Sequence, residues 1–557
     1  MNISLGIHVG HDRGACIIKD GEVIAAIANE RLDRIKHSNS TEIPFQSIDT
    51  LLENCNLTIN DISVIGLSAV AIENNNVYNF YKNAFFSHYK CEHIPFYFVH
   101  HHEAHAYSCY YSSGFDQALV FVFDGGGDFF NNMQEAETVY YANKELIETI
   151  DKRFQDLAIR HMQDKINTNY HFMPEPVRNR QISLAKKYSQ FTHLLGFGFG
   201  QEGKTMGLAS YGKSLIDFTN LNYDSLNFSL TYKDLIEEIS ILQKVSGKKF
   251  NEYILSEKEN IASTVQKFIE SAVISLIKNY INKYGIKNVC LSGGLFLNCL
   301  TNHKIIDECS IENAFILPAS GDDGQALGAA YYSYIKQFGY QKNFKINLPY
   351  LGLAYTNETI ETELKKNNLK YKKIDDYNLA KEIAKLICND KIIALHRGKS
   401  EIGPRALCHR SIIANPTNPN MKDILNLRVK HREPFRPFAP TVISDKQFEY
   451  FDLKAESPYM LLATTVKEEY QDVLSAITHV DNTARIQSIS KHDDEFIYSL
   501  LKEIEYINGY PVLLNTSFNV AGQPMVESPY DAINTFIEHD IDILVIGNFL
   551  IEKLSEG

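Results

Sequence analysis

None of the nine cysteines in this 557-residue chain forms a C-x-x-C pair. Scattered singly, they suggest neither a zinc ribbon nor a disulfide frame. No apolar run approaches bilayer-spanning length. No basic-then-apolar leader precedes the first strand-like stretch. Positive charge is in deficit: 55 Lys and Arg face 68 Asp and Glu, a formal net charge of -13. That balance argues against nucleic acid or a membrane as partner, although a local arginine cluster can still hold an anion. A coiled-coil pattern is absent. Apolar content of 44% and charged content of 22% are those of an ordinary globular protein with room for two or three domains. A cytoplasmic, reducing location is the default expectation, and a homodimer is left open.

Two stretches carry the first chemistry. Val99-His100-His101-His102-Glu103-Ala104-His105-Ala106 places two histidines four apart. A helix from His101 to Tyr111 would send both imidazoles from one face, a spacing that grips a metal. Val120-Phe121-Val122-Phe123-Asp124-Gly125-Gly126-Gly127-Asp128 reads as a buried strand ending in a carboxylate and a glycine turn. Such a strand end can complete a metal site and admit phosphate oxygens.

The device repeats. Ile3 to Val9 reads as a strand running into Gly10-His11-Asp12, and the Asp20-Gly21 hairpin returns the chain through Val23 to Ala28. Asn288 to Ser292 is a strand before Gly293-Gly294, and Gly321-Asp322-Asp323-Gly324 closes another. Repetition points to a duplicated α/β core with a nucleotide between its halves. The charged run Glu30-Arg31-Leu32-Asp33-Arg34-Ile35-Lys36-His37, taken by itself, reads as a solvated helix face. Ala142 to Arg180 reads as an insertion or lid. Glu202-Gly203-Lys204 suits close approach of a ligand to backbone. Loop-like texture from Asn343 to Tyr355 sets a domain boundary, giving domains 1–345 and 346–557.

Basic residues are dense beyond that boundary: Arg397, Lys399, Arg405, Arg410, Lys430, Arg432, Arg436 and Arg485. The prolines of Arg432-Glu-Pro-Phe-Arg436-Pro-Phe-Ala-Pro440 forbid a regular helix, so a fixed loop must present Arg436. Val512 to Asn519 is a strand ending in a hydroxyl-rich turn. Arginine forks fit phosphate, and Ser, Thr and Asn fill its remaining acceptor positions.

Taken together, these motifs resemble the NodU/CmcH-type O-carbamoyltransferases nearly end to end. The resemblance rests on Gly10-His11-Asp12, Glu30-Arg31, the His101–His105 pair, Asp124 to Asp128, Glu202 to Ala209, Ser292-Gly-Gly294 with Asn298, and Gly321 to Gly324. It continues through Glu401-x-Gly-Pro-Arg-Ala-Leu407, Met421 to Asn426, Val429 to Pro440, Asp481-x-x-Ala-Arg485 and Leu514 to Asn519. It implies an α/β chain: an N-terminal duplicated actin-like ATPase fold joined to a C-terminal YrdC-like α/β domain. It also implies that the C-terminal domain makes carbamoyl-adenylate from carbamoyl phosphate and ATP with Mg. The N-terminal domain would then pass the carbamoyl group to a hydroxyl of a small natural-product or sugar-like acceptor. Carried over by motif, His101, His105, Asp124 and Asp322 would hold a divalent metal, iron first, with manganese and zinc open. Arg405, Lys430, Arg436, Arg485, Asn515 and Ser517 would bind carbamoyl phosphate and ATP. Of these, Arg405 and Arg485 would be catalytic, neutralising charge as phosphate leaves. Asp124, Gly126, Gly203, Ser292, Gly293, Gly294 and Gln325 would line the carbamoyl-adenylate. His11 and Lys36 would lie at the acceptor, with His11 helping to deprotonate it. The chain departs from the family pattern at Cys408-His409, where Gly-Asn is usual, and at Ala185, where Gly is common.

The alternatives are an actin-like kinase, which leaves the arginine-rich half idle, and a threonylcarbamoyl-type tRNA modification component, which the net charge disfavours.

Overall fold

A computed structural model describes residues 1–70, 76–131, 133–156, 181–230, 232–340 and 349–553. The chain divides into two compact units: residues 1–26 with 39–346, and residues 27–38 with 347–557.

The first unit is built on two sheets. β1 (Ile3–Val9), β2 (Gly14–Lys19), β3 (Glu22–Ala28), β4 (Val64–Ala69) and β5 (Phe96–Val99) lie in the order β3-β2-β1-β4-β5. β6 (Gln117–Phe123), β7 (Phe129–Phe130), β8 (Met133–Asn143), β9 (Ile147–Gln155), β10 (Asn288–Ser292) and β11 (Asn313–Ile316) form the second, in which β9 pairs β8. β1 is antiparallel to β2 and parallel to β4, and β6 is antiparallel to β8 and parallel to β10. The five-strand pattern therefore occurs twice, the duplicated actin-like arrangement that the repeated strand-end turns foretell. Each central strand is buried on both faces, which accounts for the apolar runs in β1, β4 and β6.

Two helices set the site. The helix His101–Ser113 follows β5, and Gln325–Phe338 follows the acidic turn. Glycine lets the second helix settle close. A Cβ on Gly6 would stand 2.0 Å from the Ala326 carbonyl oxygen, and one on Gly328 would stand 1.8 Å from that of Ala104. Only backbone-to-backbone contact fits there.

Of Ala142 to Arg180, residues 147–155 form the edge strand β9, and residues 157–180 lie outside the described residues.

Among the described residues the second unit carries nine strands: β12 (Lys372–Lys373), β13 (Ile393–His396), β14 (Arg410–Ala414), β15 (Ala439–Ile443), β16 (Leu462–Thr465), β17 (Thr483–Ile489), β18 (Val512–Ser517), β19 (Ile543–Ile546) and β20 (Phe549–Glu552). Their order is β12-β20-β19-β13-β14-β18-β15-β17-β16. The amphipathic helices Asp376–Cys388 and Glu495–Asn508 bury Leu379, Ile383, Ile497 and Leu501 against Ile393, Ile443 and Leu513. Residues 431–438 form no helix, as the prolines require.

The charged run 30–37 is not a solvated face. Only Glu30–Asp33 is helical, and Arg31 is 4% exposed. Its guanidinium donates to the carbonyl oxygens of Glu401 and Gly403, both at 3.3 Å.

A candidate metal centre and a cationic cluster

The His-x3-His spacing does what helical geometry requires. His101 and His105 are both fully buried and turn their Nε2 atoms to Oδ1 of Asp322, each at 3.3 Å. Asp124 at the end of β6 lies 3.6 Å from Nε2 of His101. One ligand atom from each of these four residues lies within 4.8 Å of the other three. The Nε2 atoms of His101 and His105 are buried and have no hydrogen-bond partner among the described residues. Such atoms are costly unless something occupies them. Two imidazoles and two carboxylates around one point, with nitrogens left over, fit a divalent cation.

The electrostatics agree. Burial works against charge on Asp322, yet the neighbouring histidines His11 and His101 hold its carboxyl well below the usual range. Asp124 is likewise depressed, against burial and the charge of Asp322, by His101 and His105. Both carboxylates are therefore ionised and ready to bind a cation.

The glycine turns lock Asp124 in place. Its Oδ1 accepts from the Gly294 N–H at 2.8 Å, and its Oδ2 accepts from the Gly126 N–H at 3.3 Å. Gly293 is left-handed at φ 99, and a Cβ there would stand 2.4 Å from the Phe123 carbonyl oxygen. Ser292 lies 3.3 Å from Nδ1 of His105. Gln325 donates to the His101 carbonyl at 3.2 Å and accepts from Ser68 at 2.7 Å. Asp128 accepts from the His101 backbone N–H at 3.2 Å and holds His100 at 2.7 Å, anchoring the start of that helix.

His11 reaches the same place, with Nε2 3.0 Å from Asp322 and Nδ1 3.0 Å from Asp12. Burial lowers its pKa, but the charge of Asp322 and the bond to Asp12 raise it to about 9. Between those two carboxylates His11 is a proton donor at neutral pH. It can accept a proton only once another partner takes up the charge of Asp322. Gly203, in the first turn of the helix Glu202–Ala209, has open space where a Cβ would be.

Sequence reasoning missed two residues here. His8, on β1, is 1% exposed and 3.8 Å from Asp322. Burial drives its pKa down to about 3, so it is neutral. Lys186, in the first turn of the helix Leu184–Leu194, feels the charges of Glu202 and Asp124 while burial depresses its pKa. A histidine inside a buried strand was the available signal for the first; no local pattern marked the second.

The second unit holds the opposite charge. Lys430 is 4% exposed and donates to the carbonyl oxygens of Ser517 and Asn519 at 2.6 and 2.8 Å, with Ser517 Oγ at 3.3 Å. Burial, then Arg432, Arg436 and Lys36, push its pKa well down. Burial, Arg436 and Arg485 bring Arg432 to about 9. Crowded cations that depress one another favour an anion. Lys36 acts on this cluster, and its segment belongs to this unit. Arg405 sits on the loop 401–407. The Glu401 carboxylate holds that loop by accepting from the backbone N–H groups of Leu407 at 2.6 Å and Arg410 at 3.3 Å. Asn515 is buried and turns its amide NH2 to Gln487, Thr441 and the Ala406 carbonyl. Arg410, fully buried, donates to five backbone carbonyls.

The departures from the family pattern have a geometry. Cys408 takes φ 78, a left-handed value, and its sulfur faces Thr441 and Gln487. His409 stacks on Tyr350 at 3.6 Å and bridges the Lys399 carbonyl and Asp494, each at 2.6 Å.

Two families of known proteins match this chain: Carbamoyltransferase N-terminus over residues 64–331 and Carbamoyltransferase C-terminus over residues 384–553. Nodulation protein NolNO of Sinorhizobium fredii is 30% identical over 572 residues, covering 98% of this chain and 79% of that protein. Nodulation protein NolO of Bradyrhizobium diazoefficiens is 32% identical over 466 residues, covering 82% and 79%. Among solved structures, phosphate- and nucleotide-bound full-length HypF aligns over 61% of this chain and 56% of its own. The TM-score is 0.41 at 16% identity, too slight a likeness to carry an argument. With both family matches and a relative aligned along nearly the whole chain, this protein belongs to the NodU/CmcH-type O-carbamoyltransferase family and is a carbamoyltransferase.

Proposed function

We propose that the protein makes carbamoyl-adenylate from carbamoyl phosphate and ATP in its second unit, and passes the carbamoyl group to an alcohol in its first. The observation that carries this reading is a charge contrast. One unit buries ionised carboxylates beside unpaired imidazole nitrogens, and the other crowds Lys430, Arg432, Arg436 and Arg485.

In the second unit, Arg405, Arg436 and Arg485 would neutralise the phosphate of carbamoyl phosphate. Water breaks the carbamoyl–phosphate linkage, leaving carbamate and inorganic phosphate. A carbamate oxygen then bonds the α-phosphorus of ATP as the α–β bridge breaks, releasing pyrophosphate. Ser517 adds a hydroxyl, and Asn515 ties the loop carrying Arg405 by donating to the Ala406 carbonyl at 3.2 Å. This is the step expected of a YrdC-like domain. Carbamate survives poorly in water, so it must form and react in an enclosed site.

In the first unit, His101, His105, Asp124 and Asp322 would hold the divalent metal, which supplies Lewis-acid polarisation when bound. The Gly126 and Gly294 N–H groups fix Asp124, while Ser292, Gln325 and the open backbone at Gly203 border the adenylate. The acceptor oxygen bonds the carbamoyl carbon as the bond to AMP breaks, and His11 stands where the hydroxyl proton leaves. The acceptor is a hydroxylated small molecule. Pyrophosphate assay tests the reading: carbamoyl phosphate should trigger pyrophosphate release from ATP, and release of ADP instead would refute it.

A further inference from the structure

Strand β9 carries a buried cation that the transfer chemistry does not use. Arg153 is 5% exposed and stands opposite the buried Glu137 of β8, its Nε donating to Oε2 at 2.8 Å. Its Nη2 donates to the Ile182 carbonyl at 3.0 Å. The guanidinium carbon lies 4.3 Å from the centre of the Phe228 ring, and Phe228 stacks in turn on Tyr223. One edge of the guanidinium is therefore engaged and one face is covered. Nη1 is buried and has no hydrogen-bond partner among the described residues. A buried N–H pair without an acceptor is unfavourable, and a ligand that supplies one removes the penalty.

Arg153 lines a cavity of about 620 Å³, within the range of small-molecule sites. Phe154, Leu226 and Phe228 line it with apolar groups, and Gln181, Asn227 and Ser229 add amides and a hydroxyl. The other charged groups around it already have partners. Asp151 accepts from the Tyr280 hydroxyl and from the Leu226 N–H. Lys152 pairs with Glu135. Burial pushes the pKa of Glu137 up, although Arg153 and the Leu184 N–H oppose it, so this carboxyl balances the guanidinium poorly. What remains is a pair of cationic N–H groups beside aromatic rings. Guanidinium N–H groups suit a carboxylate, and the rings suit an apolar body.

We infer that this cavity is a second binding site, for an organic carboxylate: a carboxylate oxygen accepts from Nη1 of Arg153, and the apolar body lies against Phe154 and Phe228. None of His11, His101, His105, Asp124 and Asp322 lines the cavity, so it is separate from the transfer site.

The chain has no tryptophan, so Phe228→Trp in the full-length protein places a single indole over the guanidinium. Benzoate should shift its emission saturably, and benzamide, its uncharged counterpart, should not at equal concentration. Phe154→Trp is a second reporter that leaves the Phe228 stack intact, and it should answer in the same way. Arg153→Lys on either background keeps a counter-charge for Glu137 but loses the second pair of N–H groups. It should weaken benzoate binding about tenfold or more. Circular dichroism restricts the comparison to variants that melt as the wild-type protein does. Equal responses to the two ligands, no response to either, or an unchanged benzoate affinity in Arg153→Lys overturns the site.

Discussion

Nε2 of His105 lies 3.3 Å from Oδ1 of Asp322, and Nε2 of His101 lies at the same distance from the same oxygen. That coincidence depends on how closely the helix after Asp322 packs against the helix that carries the histidines. Gly328 meets the Ala104 carbonyl oxygen where a Cβ would be only 1.8 Å away. Gly328→Ala should therefore destabilise the protein by about 1–3 kcal/mol, the usual cost of overpacking, and lower its metal content. Thermal melting and elemental analysis check both, and an unchanged melt with full metal content would contradict this packing account.

The buried quartet should bind one divalent cation. His105→Ala, which leaves the other three ligands, should weaken that binding about tenfold or more. Titration with Mn, Fe(II) and Zn followed by elemental analysis measures it, and equal retention by the variant would remove His105 from the ligand set.

Arg31 is a positioning residue for the Arg405 loop. It grips the Glu401 and Gly403 carbonyls and lies 3.9 Å from Glu527. Arg31→Lys keeps the charge but loses the fork. KM for carbamoyl phosphate should rise about tenfold with little change in kcat. A fall in kcat alone would point to a different role.

Anion binding to the second unit should weaken as pH rises. Burial and neighbouring cations hold Lys430 below the ordinary lysine range. A bound anion favours its protonated form, so binding takes up protons and affinity falls as pH rises toward the ordinary lysine range and Lys430 loses its charge. Calorimetry with sulfate, whose charge does not change over this range, at pH 7 and pH 9 reads this directly. An affinity that rises with pH would exclude Lys430 from the site.

Much of the candidate metal quartet was legible in sequence because its parts are local: a helix face four residues long, a strand end, a glycine turn. Asp322 came only through family resemblance, since nothing near it marks which distant helix it will meet. His8 stood out as a histidine in a buried strand, but the strand alone does not say which distant carboxylate it will meet. The run Glu30–His37 misled in the opposite sense. Its charges imply solvent, but Arg31 is buried because the backbone carbonyl of Glu401, 370 positions further along the chain, receives it. Long-range burial of charge leaves no periodic trace. The arginines of the second half were legible as residues but not as a group, because their mutual crowding comes from strands and loops far apart in the chain.

The most direct test of two chemically distinct sites is to incubate His101→Ala and Arg485→Ala separately with carbamoyl phosphate and ATP, without acceptor, and to quantify pyrophosphate and carbamoyl-adenylate by mass spectrometry. His101→Ala should yield both products and then fail to transfer when alcohol is added, and Arg485→Ala should yield neither. Equal loss of adenylate in the two variants would contradict the account.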